Sequence, residues 1–81
     1  MEEQEILSKI TGIFCTILKR QNIVLSDSTT TADIDGWDSL SHMMIIDSIE
    51  KSFGIKFKLM EIMKFSNIGD MVACIKKKLT T

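Results

Sequence analysis

The stretch Asp35-Gly36-Trp37-Asp38-Ser39-Leu40, continuing Ser41-His42-Met43-Met44-Ile45-Ile46-Asp47-Ser48-Ile49-Glu50-Lys51-Ser52-Phe53-Gly54, changes character at residue 38. Upstream, Asp35-Gly36 is a turn signal in an acidic loop. Downstream, Leu40, Met43, Ile46, Ile49 and Phe53 recur at helical spacing, with Ile45 beside them. Asp38 suits an N-cap and Gly54 a C-terminal stop, so a helix over 39–53 is predicted. Ser39 then lies in the first turn of that helix. Backbone N–H groups there lack intrahelical partners and the helix dipole is positive, so a phosphate on Ser39 would be well received. The plainer alternative is that Ser39 merely caps the helix.

Working outward, residues 3–20 predict an amphipathic helix. Ile6, Ile10, Ile13, Phe14 and Ile17 form its stripe, acids open it and Lys19-Arg20 close it. Residues 21–37 show no sustained period. The polar cluster Ser26 to Thr31 turns the chain, and Ile23, Val24, Leu25 and Ile34 are expected to pin the segment to the core. A loop this long in a small domain is often functional. Downstream of Gly54, residues 59–64 predict a brief helix, and Asn67 caps a last one over 68–79 with Ile68, Met71, Val72, Ile75 and Leu79 as its stripe. Ile55-Lys56-Phe57-Lys58-Leu59 alternates like a strand, but a lone strand has no partner. The expected fold is all-α: a four-helix bundle of three long helices and one short one, with a long first loop, in a single domain over 1–81.

Composition excludes several classes. The chain has 81 residues, 44% hydrophobic and 26% charged, with a net charge of −1. That charge is segregated. Residues 21–50 carry Asp27, Asp33, Asp35, Asp38, Asp47 and Glu50 and no Lys or Arg; residues 51–81 carry Lys51, Lys56, Lys58, Lys64, Lys76, Lys77 and Lys78 against Glu61 and Asp70. A solvated surface accounts for this, and so does an acidic surface that docks a basic partner. Nucleic acid is not an expected partner. Arg20 is the sole arginine, there is one Trp and no Tyr, and lysines 76–78 suit the end of a helix. The longest apolar run, Met71 to Ile75, is too short to span a membrane. The acidic start has the wrong sign for a targeting peptide. A cytoplasmic monomer is expected.

Catalysis finds little support. Ser39 and His42 share a helix face, but the chain has one His, no G-x-S-x-G elbow and no evident oxyanion site. His42 is expected to be a solvated helix residue, near any phosphate on Ser39. Cys15, His42 and Cys74 lack paired metal-ligand spacing, so no metal is expected. Both cysteines lie in or beside apolar stripes and suit buried free thiols.

At Asp38-Ser39-Leu40 the chain resembles the acyl carrier protein family. An acidic loop, the Asp-Ser-Leu triplet, the aliphatic stripe through Ile45, Ile46 and Ile49, and the closing Phe53-Gly54 are similar to that family's second helix. The resemblance covers essentially the whole chain. It implies a non-catalytic carrier. Ser39 would bear 4′-phosphopantetheine as a phosphodiester, installed from coenzyme A by a phosphopantetheinyl transferase. The arm's terminal thiol would hold an acyl group as a thioester for an acyl-loading ligase or synthase and for downstream acyl-transfer enzymes. Asp38 would assist the transferase, and Leu40 would be an exposed apolar contact beside the arm.

The departures from the pattern point to a specialised carrier in a fatty-acid, polyketide or glycan pathway. The outward positions of the second helix read Ser41, Met44, Asp47, Ser48 and Lys51. Met44 stands where the family usually has a glutamate, and Trp37 is more typical of carriers outside primary metabolism. Docking is expected at Leu40, Met44, Asp47 and Glu50. Ile46, Ile49, Phe53, Ile62, Met63 and Phe65 are candidates for an acyl pocket, or simply for core. The alternatives are an aminoacyl carrier of peptidyl or D-alanyl type and a cofactor-free helical interaction domain.

Overall fold

The computed structural model describes residues 2–80; Met1 and Thr81, the ends of the expected 1–81 domain, lie outside the described residues. Four α-helices follow one another: α1 (Glu3–Leu18), α2 (Ser39–Phe53), α3 (Leu59–Met63) and α4 (Ile68–Thr80). A single 3-10 turn at Thr31–Asp33 interrupts the long loop between α1 and α2. The all-helical class and the order of long, long, short and long helices agree with the sequence, and α2 starts and stops at the residues expected from Asp38 and Gly54.

Helix α1 stops two residues short of its expected end. Lys19 takes the left-handed conformation (φ 56°, ψ 45°), and the Arg20 N–H donates back to the Cys15 carbonyl at 3.1 Å. A left-handed residue ends a helix whatever the charge of its side chain. Lys19 and Arg20 therefore fall outside the last turn, and Arg20 reaches the Asp35 carbonyl at 3.4 Å instead.

The core is a stack of aliphatic stripes. Ile6, Ile10 and Phe14 repeat every four residues along α1; Ile45, Ile46 and Ile49 face them from α2; Ile68, Met71, Val72 and Ile75 come from α4. Helix α1 packs against both α2 and α4. Ile23, Leu25 and Trp37 anchor the long loop to the same core. Each such side chain contributes about 1.5–3 kcal/mol on leaving water. Of the loop residues expected to do this, Val24 instead points into solvent and Ile34 is half-buried.

The loop also completes the start of α4. The first N–H groups of a helix have no partner within it. Here the Thr29 carbonyl accepts from Ile68 N–H at 2.9 Å, the Asp27 carbonyl accepts from Gly69 N–H at 2.8 Å, and Asn67 Oδ1 accepts from Asp70 N–H at 2.9 Å. The alternating segment after Gly54 is extended but unpaired, and no strand forms among the described residues. Its Phe57 N–H is satisfied by the Glu50 carboxylate at 2.8 Å. Ile55 and Phe57 turn inward while Lys56 and Lys58 stay exposed, and Phe57 meets Phe65 edge-on at 5.5 Å.

Gly69 is where loop and helix touch. A Cβ there would lie 2.9 Å from the Asp27 carbonyl oxygen and 3.2 Å from Asn67 Oδ1. Alanine is the better helix former by about 1 kcal/mol, but overpacking of this kind costs about 1–3 kcal/mol. Gly69→Ala is therefore expected to lower the urea midpoint despite its higher propensity; a raised midpoint would show that the loop is not seated on α4 in this way.

Candidate functional site

The site is built at the junction of loop and α2. Gly36 (φ 88°) makes the turn that a side chain would strain. Asp38, extended at φ −115°, is the N-cap. Its Oδ1 accepts from the Ser41 N–H at 2.9 Å, and Ser41 Oγ accepts from the Asp38 N–H at 2.8 Å. Ser41 Oγ in turn donates to the Gly36 carbonyl at 2.7 Å. The pair is a reciprocal capping box with Ser at the third helical position. The Ser41 N–H bond, then the Ser41 hydroxyl, hold the Asp38 carboxyl below its ordinary range.

Ser41, not Ser39, is thus the serine of the cap. Ser39 is the first residue of α2, exposed, and its hydroxyl takes no part in the capping box. Ser41 was expected to face outward; it is buried because its hydroxyl sits between the Asp38 amide and the Gly36 carbonyl. The spacing of Asp38 and Ser41 carried that signal, since a cap residue and the third helical position reach each other.

Beside Ser39 opens a hollow of about 310 Å3 lined by Trp37, Asp38, Ser39, His42 and Phe65. Trp37 is buried, edge-on to Phe14 with ring centres 4.8 Å apart. Its Nε1–H donates to His42 Nδ1 at 3.0 Å. His42 is accordingly half-buried rather than solvated, and burial pushes its pKa down. Sequence spacing gave no warning of this bond, which joins a loop residue to the second turn of the helix.

The other expected site residues separate. Leu40 is 74% exposed and Met44 49% exposed, both on the surface that starts at Ser39. Asp47 is exposed and pairs with Lys51 at 3.0 Å. Glu50 is half-buried, with its carboxylate on the Phe57 N–H. Of the pocket candidates, Ile46 and Ile49 are core, and Phe53, Ile62 and Phe65 are partly buried against the core cluster. Phe65 reaches the hollow beside Ser39. Met63 does not join this group; it stands 76% exposed on the outer side of α3.

Cys15 and Cys74 are free thiols, each partly buried. Cys74 Sγ donates to Glu61 Oε2 at 3.7 Å, and burial, then the Glu61 charge, raises its pKa. Among the described residues no group of three or more His, Cys, Asp or Glu converges. Among the described residues no helix is long and apolar enough to cross a membrane.

Ser41→Ala removes the acceptor for the Asp38 N–H and the donor to Gly36. The expected loss is about 1–2 kcal/mol of stability, read as a lower urea midpoint with helical circular dichroism retained. An unchanged midpoint would mean that water replaces the hydroxyl without cost.

Comparison with known proteins agrees with this geometry. The family model described as phosphopantetheine attachment site matches residues 8–75. The chain is 32% identical over 76 residues to an acyl carrier protein of Thermotoga maritima, covering 94% of each. It is 31% identical over 71 residues to a non-reducing polyketide synthase of Emericella nidulans, matching 88% of this chain but only 3% of that protein. The solution structure of holo acyl carrier protein from Geobacter metallireducens superposes with a TM-score of 0.86 at 44% identity, covering 93% of this chain and 86% of that one. With the matched family model, the near full-length similarity and the shared fold together, the chain belongs to the acyl carrier protein family.

Proposed function

We propose that Ser39 is the attachment point of 4′-phosphopantetheine, the covalent cofactor of this family. The single observation that carries the assignment is the division of labour in the cap. Ser41 and Asp38 satisfy the helix start, which leaves the Ser39 hydroxyl exposed at the mouth of the hollow. The residues around it fit the group. The hydroxyl is a free nucleophile, the first turn of α2 favours an anion, and Trp37 and Phe65 offer apolar walls. Attachment joins Ser39 Oγ to the phosphorus of the pantetheine phosphate of coenzyme A; the hydroxyl proton leaves and the phosphoanhydride breaks to release 3′,5′-ADP. A phosphopantetheinyl transferase performs this step, with Asp38 and Leu40 beside the reacting oxygen as its contacts. Once bound, the arm supplies a terminal thiol that holds an acyl group as a thioester.

The chain itself is a non-catalytic carrier. We place it in the cytoplasm, serving an acyl-loading ligase or synthase and later acyl-transfer enzymes of a specialised pathway, with residues 1–81 acting as one carrier domain. Leu40 and Met44 are proposed as the centre of docking, with Asp47 at the edge. Glu50 contributes to docking less directly, because its carboxylate supports the Phe57 backbone. Ile46, Ile49, Phe53, Ile62 and Phe65 are proposed as the wall that parts to admit an acyl chain, with Met63 outside it.

Two experiments test the reading. Incubation with coenzyme A, magnesium and a broad-specificity transferase is expected to add one phosphopantetheine to the wild-type mass, mapped to the Ser39 peptide. Ser39→Ala is expected to add none while keeping its helical spectrum; a fully modified Ser39→Ala would refute the site. Met44→Glu, which restores the acid usual in the family, is expected to raise loading rates by fatty-acid synthase enzymes. Equal rates for the two proteins would remove Met44 from the docking surface.

A further inference from the structure

The hollow beside Ser39 has one wall that the cap does not use. His42 lies three residues beyond Ser39, close to one turn along α2, and both line the same space of about 310 Å3. Trp37 Nε1–H donates to His42 Nδ1 at 3.0 Å, and the two ring planes are inclined by 30° with centres 5.8 Å apart. An acceptor at Nδ1 puts the imidazole proton on Nε2. Trp37 is buried and held edge-on by Phe14, so the imidazole is oriented from the core outward. Its Nε2–H has no partner among the described residues. The charged side chain lining the hollow is Asp38, whose carboxylate is engaged by the Ser41 N–H. Across from it Phe65 is apolar, and the neighbouring Lys64, Glu61 and Asp70 line a separate hollow.

Resting on attachment at Ser39, we infer that His42 is a positioning residue for the root of the arm, its Nε2–H donating to a non-bridging oxygen of the Ser39 phosphodiester. A neutral imidazole N–H and a singly charged phosphodiester form a charge-assisted hydrogen bond. Half-burial strengthens it relative to water. The hollow holds roughly ten water molecules at ~30 Å3 each, which is room for the diester and the first carbons of the arm against Trp37 and Phe65. The consequence is a direct line from the core to the arm: Phe14 holds Trp37, Trp37 holds His42, and His42 holds the phosphate. Burial keeps the His42 pKa below its ordinary value, and protonation at Nδ1 would cost the bond from Trp37. An adjacent phosphate acts in the opposite direction, because a nearby negative charge favours the imidazolium.

The test compares the apo and holo forms of the full chain, separated by intact mass. Each is titrated from about pH 5 to about pH 8, the range in which histidine changes charge, while the His42 ring nitrogens are followed by NMR. The holo form is also followed at phosphorus. The expected result is a His42 midpoint about one pH unit higher in the holo form. The diester does not itself ionise in this range, so a phosphorus signal that titrates with the same midpoint reports the contact. In holo His42→Gln, whose amide retains an acceptor for Trp37 and a donor for the phosphate, that phosphorus titration is expected to vanish with the helical spectrum unchanged. Coincident apo and holo midpoints overturn the inference, and so does a phosphorus titration that survives in His42→Gln. A chain that takes up no arm at Ser39 fails earlier, by mass, and overturns the attachment site together with this contact.

Discussion

The structure around Ser39 depends on a constraint that Ser39 itself escapes. A helix must satisfy its first N–H groups, and a serine near its start is the usual means. In this chain the reciprocal bonds of Asp38 and Ser41, at 2.9 and 2.8 Å, do that work, and the Ser41 hydroxyl adds a third bond to Gly36. Had Ser39 been the cap, its hydroxyl would be held in a backbone bond and sheltered from any enzyme. Moving the cap to the flanking residues leaves a hydroxyl that is fixed in position by rigid backbone yet chemically free. This separation of support from display is what allows a small domain to present a free serine hydroxyl without a cleft.

The same economy recurs at the other helix starts. Glu5 Oε1 accepts from the Glu2 N–H at 3.3 Å, Asp33 Oδ2 from Thr30 N–H at 2.9 Å, Glu61 Oε1 from Lys58 N–H at 2.7 Å, and Asp70 Oδ2 from Ser66 N–H at 3.0 Å. In each case a carboxylate in the first turn reaches back over the chain entry. Glu61 carries this furthest. The Lys58 N–H, then the Lys78 ammonium at 2.9 Å, hold its pKa down to about 2. Helix α3 is too short to persist on its own propensity. Glu61 ties it to Lys58 before it and to α4 behind it, which keeps the segment next to Ser39 in place.

How much of this was legible beforehand follows from which interactions are local. The limits of α2 were readable because Asp38 and Gly54 act within one turn of their own positions. The end of α1 was not: Lys19 adopts a left-handed conformation that its charge and neighbours do not advertise. The inward turn of Ser41 was encoded in the Asp38 to Ser41 spacing. The Trp37–His42 bond could not be read from periodicity, since it depends on the loop folding back so that Phe14 supports the indole from a different helix. The scatter of the pocket candidates has a similar cause. Ile46, Ile49 and Met63 all satisfy an apolar pattern, yet α3 is a single turn and a half, and its Leu59, Met60 and Met63 side chains have no core to face.

That last point bears on the surface beside Ser39. The acids that the sequence places near it are largely engaged within the chain: Asp38 in the cap, Asp47 with Lys51, Glu50 with the Phe57 amide, Glu61 with Lys58 and Lys78. The large apolar side chains exposed on α2 and α3 are Leu40, Met43, Met44, Leu59, Met60 and Met63. Beside it Lys56, Lys58 and Lys64 are exposed, and Lys58 and Lys64 directly flank α3. Long-range steering falls off with salt and with each charge neutralised inside the fold. Apolar area acts only on contact, and methionine adapts its shape to what it meets. Around Ser39 the exposed hydroxyl, the indole of Trp37, the ring of Phe65 and the core-anchored imidazole of His42 line one hollow.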